Sequence, residues 1–133
     1  MKKICILIAL ILLSIPVLTS SRVIEIRGTK AADPWAGFPL LKRIASCEDF
    51  GVPGKEPIEF LPDGSVLRGK INPDDVGLGQ INLPTWGAKA IQIGLNLYTY
   101  EGNLAMMKWI YLNDPRHEQN WSWSESCWGV DKN

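Results

Sequence analysis

Apolar residues crowd the start of the chain and then thin into recurring patterns. The run is almost unbroken over residues 4–13, and Ile15, Val17 and Leu18 extend it. Lys2 and Lys3 precede it, Pro16 interrupts it, and the small residues Thr19, Ser20 and Ser21 follow. That is the order of a secretory signal peptide. A spanning helix needs about 20 apolar residues, more than this run supplies. Residues 1–21 are therefore expected to be removed on export. No cysteine follows the cleavage site to carry a lipid. Residues 22–33 show no periodicity and read as an N-terminal arm, with room for a short strand over 22–27.

Periodicity begins at Asp33-Pro34. Asp suits an N-cap and Pro the first helical position, where its missing N–H is no loss. With Gly51 as the stop, a helix is predicted over residues 34–49. Phe38, Leu41, Ala45 and Glu48 fall on one face of it, so a carboxylate ends an apolar stripe. Residues 58–71 read as two short strands around Pro62-Asp63-Gly64-Ser65, where Pro presets φ and Gly tolerates a positive one. The loop Asn72-Pro73-Asp74-Asp75 leads into Val76-Gly77-Leu78-Gly79-Gln80-Ile81-Asn82. Pro84 opens a second helix over about 85–93, ended by Gly94. A third starts at Thr99 or Glu101, buries Leu104, Met107, Ile110 and Tyr111, and stops at Asn113-Asp114-Pro115. Residues 120–128 carry tryptophan and serine without a helical pattern. The predicted class is α+β, mainly helical, with a small β-hairpin beside a helical core.

Length changes the picture little: 133 residues allow one domain, placed at residues 34–133. Charge excludes more. Loss of residues 1–21 takes Lys2 and Lys3 from the 14 basic residues and none of the 14 acids, leaving about −2. No basic stripe remains, so nucleic acid is not an expected partner. Of three cysteines, Cys5 leaves with the signal peptide. Cys47 and Cys127 remain in an oxidising setting, where two cysteines permit one pairing; buried free thiols are the alternative. A bridge closing about 80 residues would stabilise by roughly 4 kcal/mol and tie the C-terminal tail beside Glu48.

Two acids stand out chemically. Desolvation at the buried edge of a helix raises a carboxyl pKa, which is what a general acid needs near neutral pH. That describes Glu48, against the plainer reading of a surface glutamate in a last helical turn. Glycoside cleavage commonly uses two carboxyls flanking the bond, and Asp75 could face Glu48 across a cleft, with Asp74 as substitute. As charges alone, both aspartates also read as solvated turn residues.

The Cys-Glu pair ending the first helix, the hairpin, and then Asp75-Val76-Gly77-Leu78-Gly79-Gln80-Ile81-Asn82 resemble the lysozyme-like superfamily. Gly77-Leu78-Gly79-Gln80-Ile81 is similar to the Gly-Leu-Met-Gln-Ile segment of soluble lytic transglycosylase domains. Asp75 stands where c-type lysozymes place their second catalytic aspartate. The Ser-Cys-Trp ending is similar to that of small bacterial transglycosylase-like proteins. The resemblance covers about residues 35–128. It implies a lysozyme-like fold and cleavage of the β-1,4 bond between N-acetylmuramic acid and N-acetylglucosamine in peptidoglycan. It makes Glu48 the general acid, has Gln80 and Asn82 hydrogen-bond the sugar, and lets the glycine-rich Gly77-Leu78 backbone approach it. Asp49 stands where the transglycosylase pattern has serine, and the late Tyr-Asn pair of that pattern has no counterpart. Two outcomes stay open: a lytic transglycosylase forming 1,6-anhydro ends, which is favoured, and a retaining hydrolase using Asp75. A non-catalytic glycan-binding module is the alternative outside enzymes.

Six tryptophans add flat apolar faces with one polar handle each. Trp86 and Trp109, inside helices, read as core. Trp121 and Trp123, in the irregular tail, read as core or as a cleft wall stacking on sugar rings. A single histidine, His117, leaves no multi-histidine metal site, and Gly77-Leu78-Gly79 lacks the third glycine of a dinucleotide loop. No metal or cofactor is expected. The expected partners are peptidoglycan glycan strands, with no membrane attachment once the signal peptide is gone. The mature protein is expected to be a secreted or periplasmic monomer.

Overall fold

The computed structural model describes residues 32–129. The expected signal peptide and residues 22–31 of the expected arm lie outside the described residues. Four α-helices account for most of the order: α1 (Pro39–Phe50), α2 (Leu83–Gln92), α3 (Tyr100–Asn113) and α4 (Glu125–Trp128). A 3-10 segment, His117–Ser124, leads into α4. Two short strands, β1 (Asp75–Val76) and β2 (Ile81–Asn82), pair antiparallel, with Asp75 opposite Asn82 and Val76 opposite Ile81. About half of the described residues are helical, so the class is α+β and mainly helical.

The first helix starts five residues later than its sequence suggests. Residues 34–37 form turns, in which Asp33 Oδ1 accepts the Trp35 N–H at 2.9 Å instead of capping a helix. Pro39 explains the shift. Inside a helix begun at Pro34 it would remove a hydrogen bond and clash with a preceding carbonyl, at a cost of about 3 kcal/mol. At position N1 it costs nothing, and Phe38 before it sits outside the helical region, as a residue preceding proline prefers. The other end is as expected: Gly51 is left-handed and its N–H caps the Cys47 carbonyl at 2.8 Å.

The hairpin contracts to isolated bridges, Phe60 with Val66 and Arg68 with Val76. Leu61 N–H to Ser65 O and Leu67 N–H to Glu59 O, both 2.8 Å, close it around the expected turn. The regular pairing moves downstream, to the end of the expected 72–75 loop and the stretch after it, where no strand was expected. β1 pairs with β2 on one side and faces the 67–69 edge on the other, where the residues flanking Val76 make the bonds: Gly69 N–H to Asp75 O and Gly77 N–H to Leu67 O, at 2.9 Å each.

α3 is buried on more than the predicted face. Leu104, Met107 and Ile110 are in the core as expected, but Met106 and Asn103 are fully buried too. A helix enclosed on several sides has no single apolar stripe to read. The tail is also more ordered than its pattern implied. Trp121 and Trp128 are buried, and the 3-10 segment and α4 pack on α1. Helices this short do not hold themselves together in water. Burial of two indoles, worth roughly 1.5–3 kcal/mol each on an aliphatic scale, and a covalent tie do so instead.

That tie is the Cys47–Cys127 disulfide, present as cysteine counting predicted, with Cα atoms 5.9 Å apart. It links the last turn of α1 to α4. No helix among the described residues is long and apolar enough to cross a membrane.

Candidate active site

A cavity of about 740 Å³ opens between the C-terminal end of α1, the 67–72 strand edge, the β1–β2 hairpin and the 3-10 segment. Glu48, Asp75, Gln80, Asn82, Trp121 and Trp123 all contribute to its wall. Residues separated by up to 75 positions are thus gathered by three devices. The capped end of α1 places Glu48, the β1–β2 pairing places Asp75 and Asn82, and the disulfide brings the tryptophans over.

Glu48 is shifted from its ordinary behaviour by what surrounds it in this wall. Burial raises its pKa, the nearby Asp75 carboxyl raises it further, and a hydrogen bond from Ser124 opposes both. Ser124 Oγ donates to Glu48 Oε1 at 2.6 Å. Such a bond favours the ionised form, but desolvation is the larger effect and the net shift is upward. Ser124 had no role in the sequence reading. A signal for it existed, since pairing Cys127 with Cys47 places the residue three positions upstream beside Glu48. Neither Tyr98 nor Tyr100 lines the cavity, so Ser124 is the side chain that bonds Glu48.

Asp75 is fixed by two amides. Asn82 Nδ2 donates to its Oδ1 at 2.8 Å and Asn72 Nδ2 at 3.1 Å. Asp74, the possible substitute, is exposed and is not on the cavity wall. Asn82 spends its other polar atom on structure: Oδ1 caps α2 by accepting the Thr85 N–H at 3.1 Å. Gln80 adopts a positive φ of 46°, and its Nε2 donates to Gly77 O at 2.8 Å. Both amides are therefore engaged within the protein as well as lining the cavity.

Gly77 and Leu78 are placed differently from the expectation. Neither lines the cavity, and Leu78 is fully buried in the core. Gly77 has a φ of 70°, and an added Cβ would overlap the side chains of Asn103 and Glu59. The close backbone approach that glycine permits is made here to the protein's own buried polar groups.

The tryptophans divide sharply. Trp121 is 4% exposed, with Nε1 donating to Gly79 O at 2.8 Å, so it is both core and cavity wall. Trp123 is 98% exposed at the same cavity. Trp86 and Trp109 are only half-buried and meet edge to face at 6.2 Å, with Trp86 also on the cavity wall. An exposed indole beside amides and carboxyls suits a polyhydroxylated ring, which offers an apolar face and a polar rim.

Asp49 also reaches the cavity wall. Its Oδ2 accepts the Ile58 N–H at 2.7 Å. Burial, against which that bond works, and the neighbouring Glu59 and Glu48 carboxyls push it up to about 8. No cluster of metal-ligating side chains occurs among the described residues. His117 lies away from the cavity, its Nδ1 2.7 Å from Tyr111 O. Compared with known proteins, the chain matches no family model, no curated protein and no solved structure.

Proposed function

We propose that this protein is an exported enzyme with a lysozyme-like fold that cleaves the β-1,4 bond between N-acetylmuramic acid and N-acetylglucosamine in peptidoglycan. One observation carries the reading: a desolvated Glu48 with a raised pKa shares a roughly 740 Å³ cavity with Asp75 and an exposed indole. A carboxyl whose pKa burial has raised keeps its proton to higher pH than a free one, and it can deliver that proton to the bridging oxygen as the glycosidic bond breaks. Positive charge then develops at C1 of the muramic acid, and the nearby Asp75 carboxylate opposes it.

The favoured outcome is the lytic transglycosylase. The C6 hydroxyl of the same sugar attacks C1, its proton returns to Glu48, and a 1,6-anhydro end forms without water. Ser124 fits both halves of that cycle, because its hydroxyl can donate to Glu48 once the carboxyl has lost its proton. The second reading is a retaining hydrolase, favoured specifically by Asp75. That residue lines the same cavity and is oriented by Asn72 and Asn82. In either case the protein acts as an exported monomer on glycan strands.

Mass spectrometry of products from purified peptidoglycan tests the reading, with Glu48→Gln as control. Saccharide ends one water lighter than hydrolysed ones are expected, and Glu48→Gln should lower the rate by about 10²–10⁴-fold. Reducing ends would replace the transglycosylase with the hydrolase. Folded protein that binds glycan and yields no product would refute both in favour of a binding module.

A further inference from the structure

Asp49 and Glu59 are buried acids that the proposed chemistry leaves unused. Asp49 lies next to Glu48 in the last turn of α1, and its Oδ2 takes the Ile58 N–H at 2.7 Å. The next residue along, Glu59, is 2% exposed, and its Oε2 takes the Leu78 N–H at 2.8 Å. The chain at 58–59 is therefore gripped on one side by the helix that carries Glu48. On the other side it grips the turn between Asp75 and Gln80. Burying a carboxyl is costly unless its hydrogen bonds are made; each acid makes one, to a main-chain N–H that has no other acceptor among the described residues, while its second oxygen, Asp49 Oδ1 or Glu59 Oε1, is buried without a partner there.

The turn is held from below as well. Asn103 Oδ1 accepts the Gly79 N–H at 2.9 Å, and its Nδ2 donates to Val76 O at 2.9 Å and Leu97 O at 3.0 Å. Gly77 packs so closely on Glu59 and Asn103 that no side chain fits there. The turn thus has one correct seating, with Glu59 at its centre.

We propose that Asp49 and Glu59 are positioning residues, forming a strap from the Glu48 end of α1 to the 76–80 turn that sets the spacing of Glu48 from Asp75. The effect on catalysis rests on the peptidoglycan reading; the strap itself does not. Burial pushes Asp49 up to about 8 and Glu59 up to about 7. The charged neighbours are Glu48 and Glu59 for Asp49, and Glu101 for Glu59.

Amide hydrogen exchange on the full mature protein reads the strap without substrate. Glu59→Met removes the acceptor of Leu78 and is expected to speed exchange at that amide about tenfold. The Gly79 amide, held by Asn103, serves as the internal reference and should change much less. Glu59→Gln, which keeps an acceptor oxygen, should restore protection. Equal acceleration at Leu78, Gly79 and the α3 amides, or none at Leu78, would overturn the strap.

If Glu59→Met fails to fold, the Leu78 amide nitrogen shift still decides. It should titrate near pH 7 in the unmodified protein and cease to do so in Glu59→Gln; a titration that persists would overturn the proposal. On peptidoglycan, Asp49→Ala and Glu59→Met should lower kcat about tenfold with KM little changed, with Asp49→Asn and Glu59→Gln rescuing. Unaltered kcat in protein whose Leu78 amide has lost protection would remove the positioning role. An unmodified protein that cleaves nothing would instead sink the enzymatic reading and leave the exchange result standing.

Discussion

Removing the Cys47–Cys127 bridge, by reduction or as the Cys47→Ala/Cys127→Ala double variant, should cost this domain a large share of its stability. The two cysteines are 80 positions apart. In the chain-entropy account, a loop of that length restricts the unfolded chain by about 4.5 kcal/mol at 25 °C. A domain of this size has a total of roughly 5–15 kcal/mol. The melting temperature should therefore fall by roughly 20 °C or more, and the urea midpoint by about 2–4 M.

The loss should also be uneven in space. α4 has four residues and the 3-10 segment eight, too few to persist alone. They are held to α1 by the disulfide and by the burial of Trp121 and Trp128. In the bridge-free protein, indole fluorescence should shift to the red at lower urea than the loss of helical circular dichroism from α1 and α3. Ser124 leaves with the tail, so Glu48 loses its hydrogen bond before the domain unfolds. A midpoint change equivalent to less than about 1 kcal/mol would refute the entropic reasoning. Coincident fluorescence and dichroism transitions would refute the weakly held tail.

The buried acids make stability depend on pH in a stated direction. Asp49 rises from 3.8 to about 8 and Glu59 from 4.5 to about 7. An acid whose folded pKa exceeds its unfolded one stabilises fully below the unfolded value, and that stability is lost as pH rises through the folded value. Urea midpoints should fall between about pH 5 and about pH 8.5, and Asp49→Asn/Glu59→Gln should flatten the decline; a flat profile in the unmodified protein would contradict it. Trp121 and Trp123 should separate binding from folding. Trp123→Ala, at a fully exposed site, should leave the urea midpoint within about 0.5 kcal/mol while weakening retention on insoluble peptidoglycan about tenfold. Trp121→Phe leaves the buried Gly79 carbonyl without its donor and should destabilise by about 1–3 kcal/mol, measured by the same denaturation.

Local chemistry made several elements readable from the sequence. Gly51 and Gly94 end helices where the pattern places them, Asp63-Gly64 turns the hairpin, and Cys47 and Cys127 pair as cysteine counting expected. The apolar stripe Leu41–Ala45–Glu48 located a desolvated carboxyl, because helical spacing alone carries Glu48 to the edge of the core. Those are short-range rules, and they act within a few residues.

What tertiary structure decided lies beyond that range. Asp74 and Asp75 are equivalent as letters; pairing of β1 with β2 turned Asp75 to the cavity and left Asp74 in solvent. Trp121 and Trp123 are two residues apart in the same tail, yet one is buried and the other exposed, because a tail pinned by a disulfide offers one side to the core. Glu59 and Asn103 look like surface residues in sequence. They are buried because the main-chain N–H and C=O groups of the 76–80 turn need partners, and only side chains from distant segments can reach them.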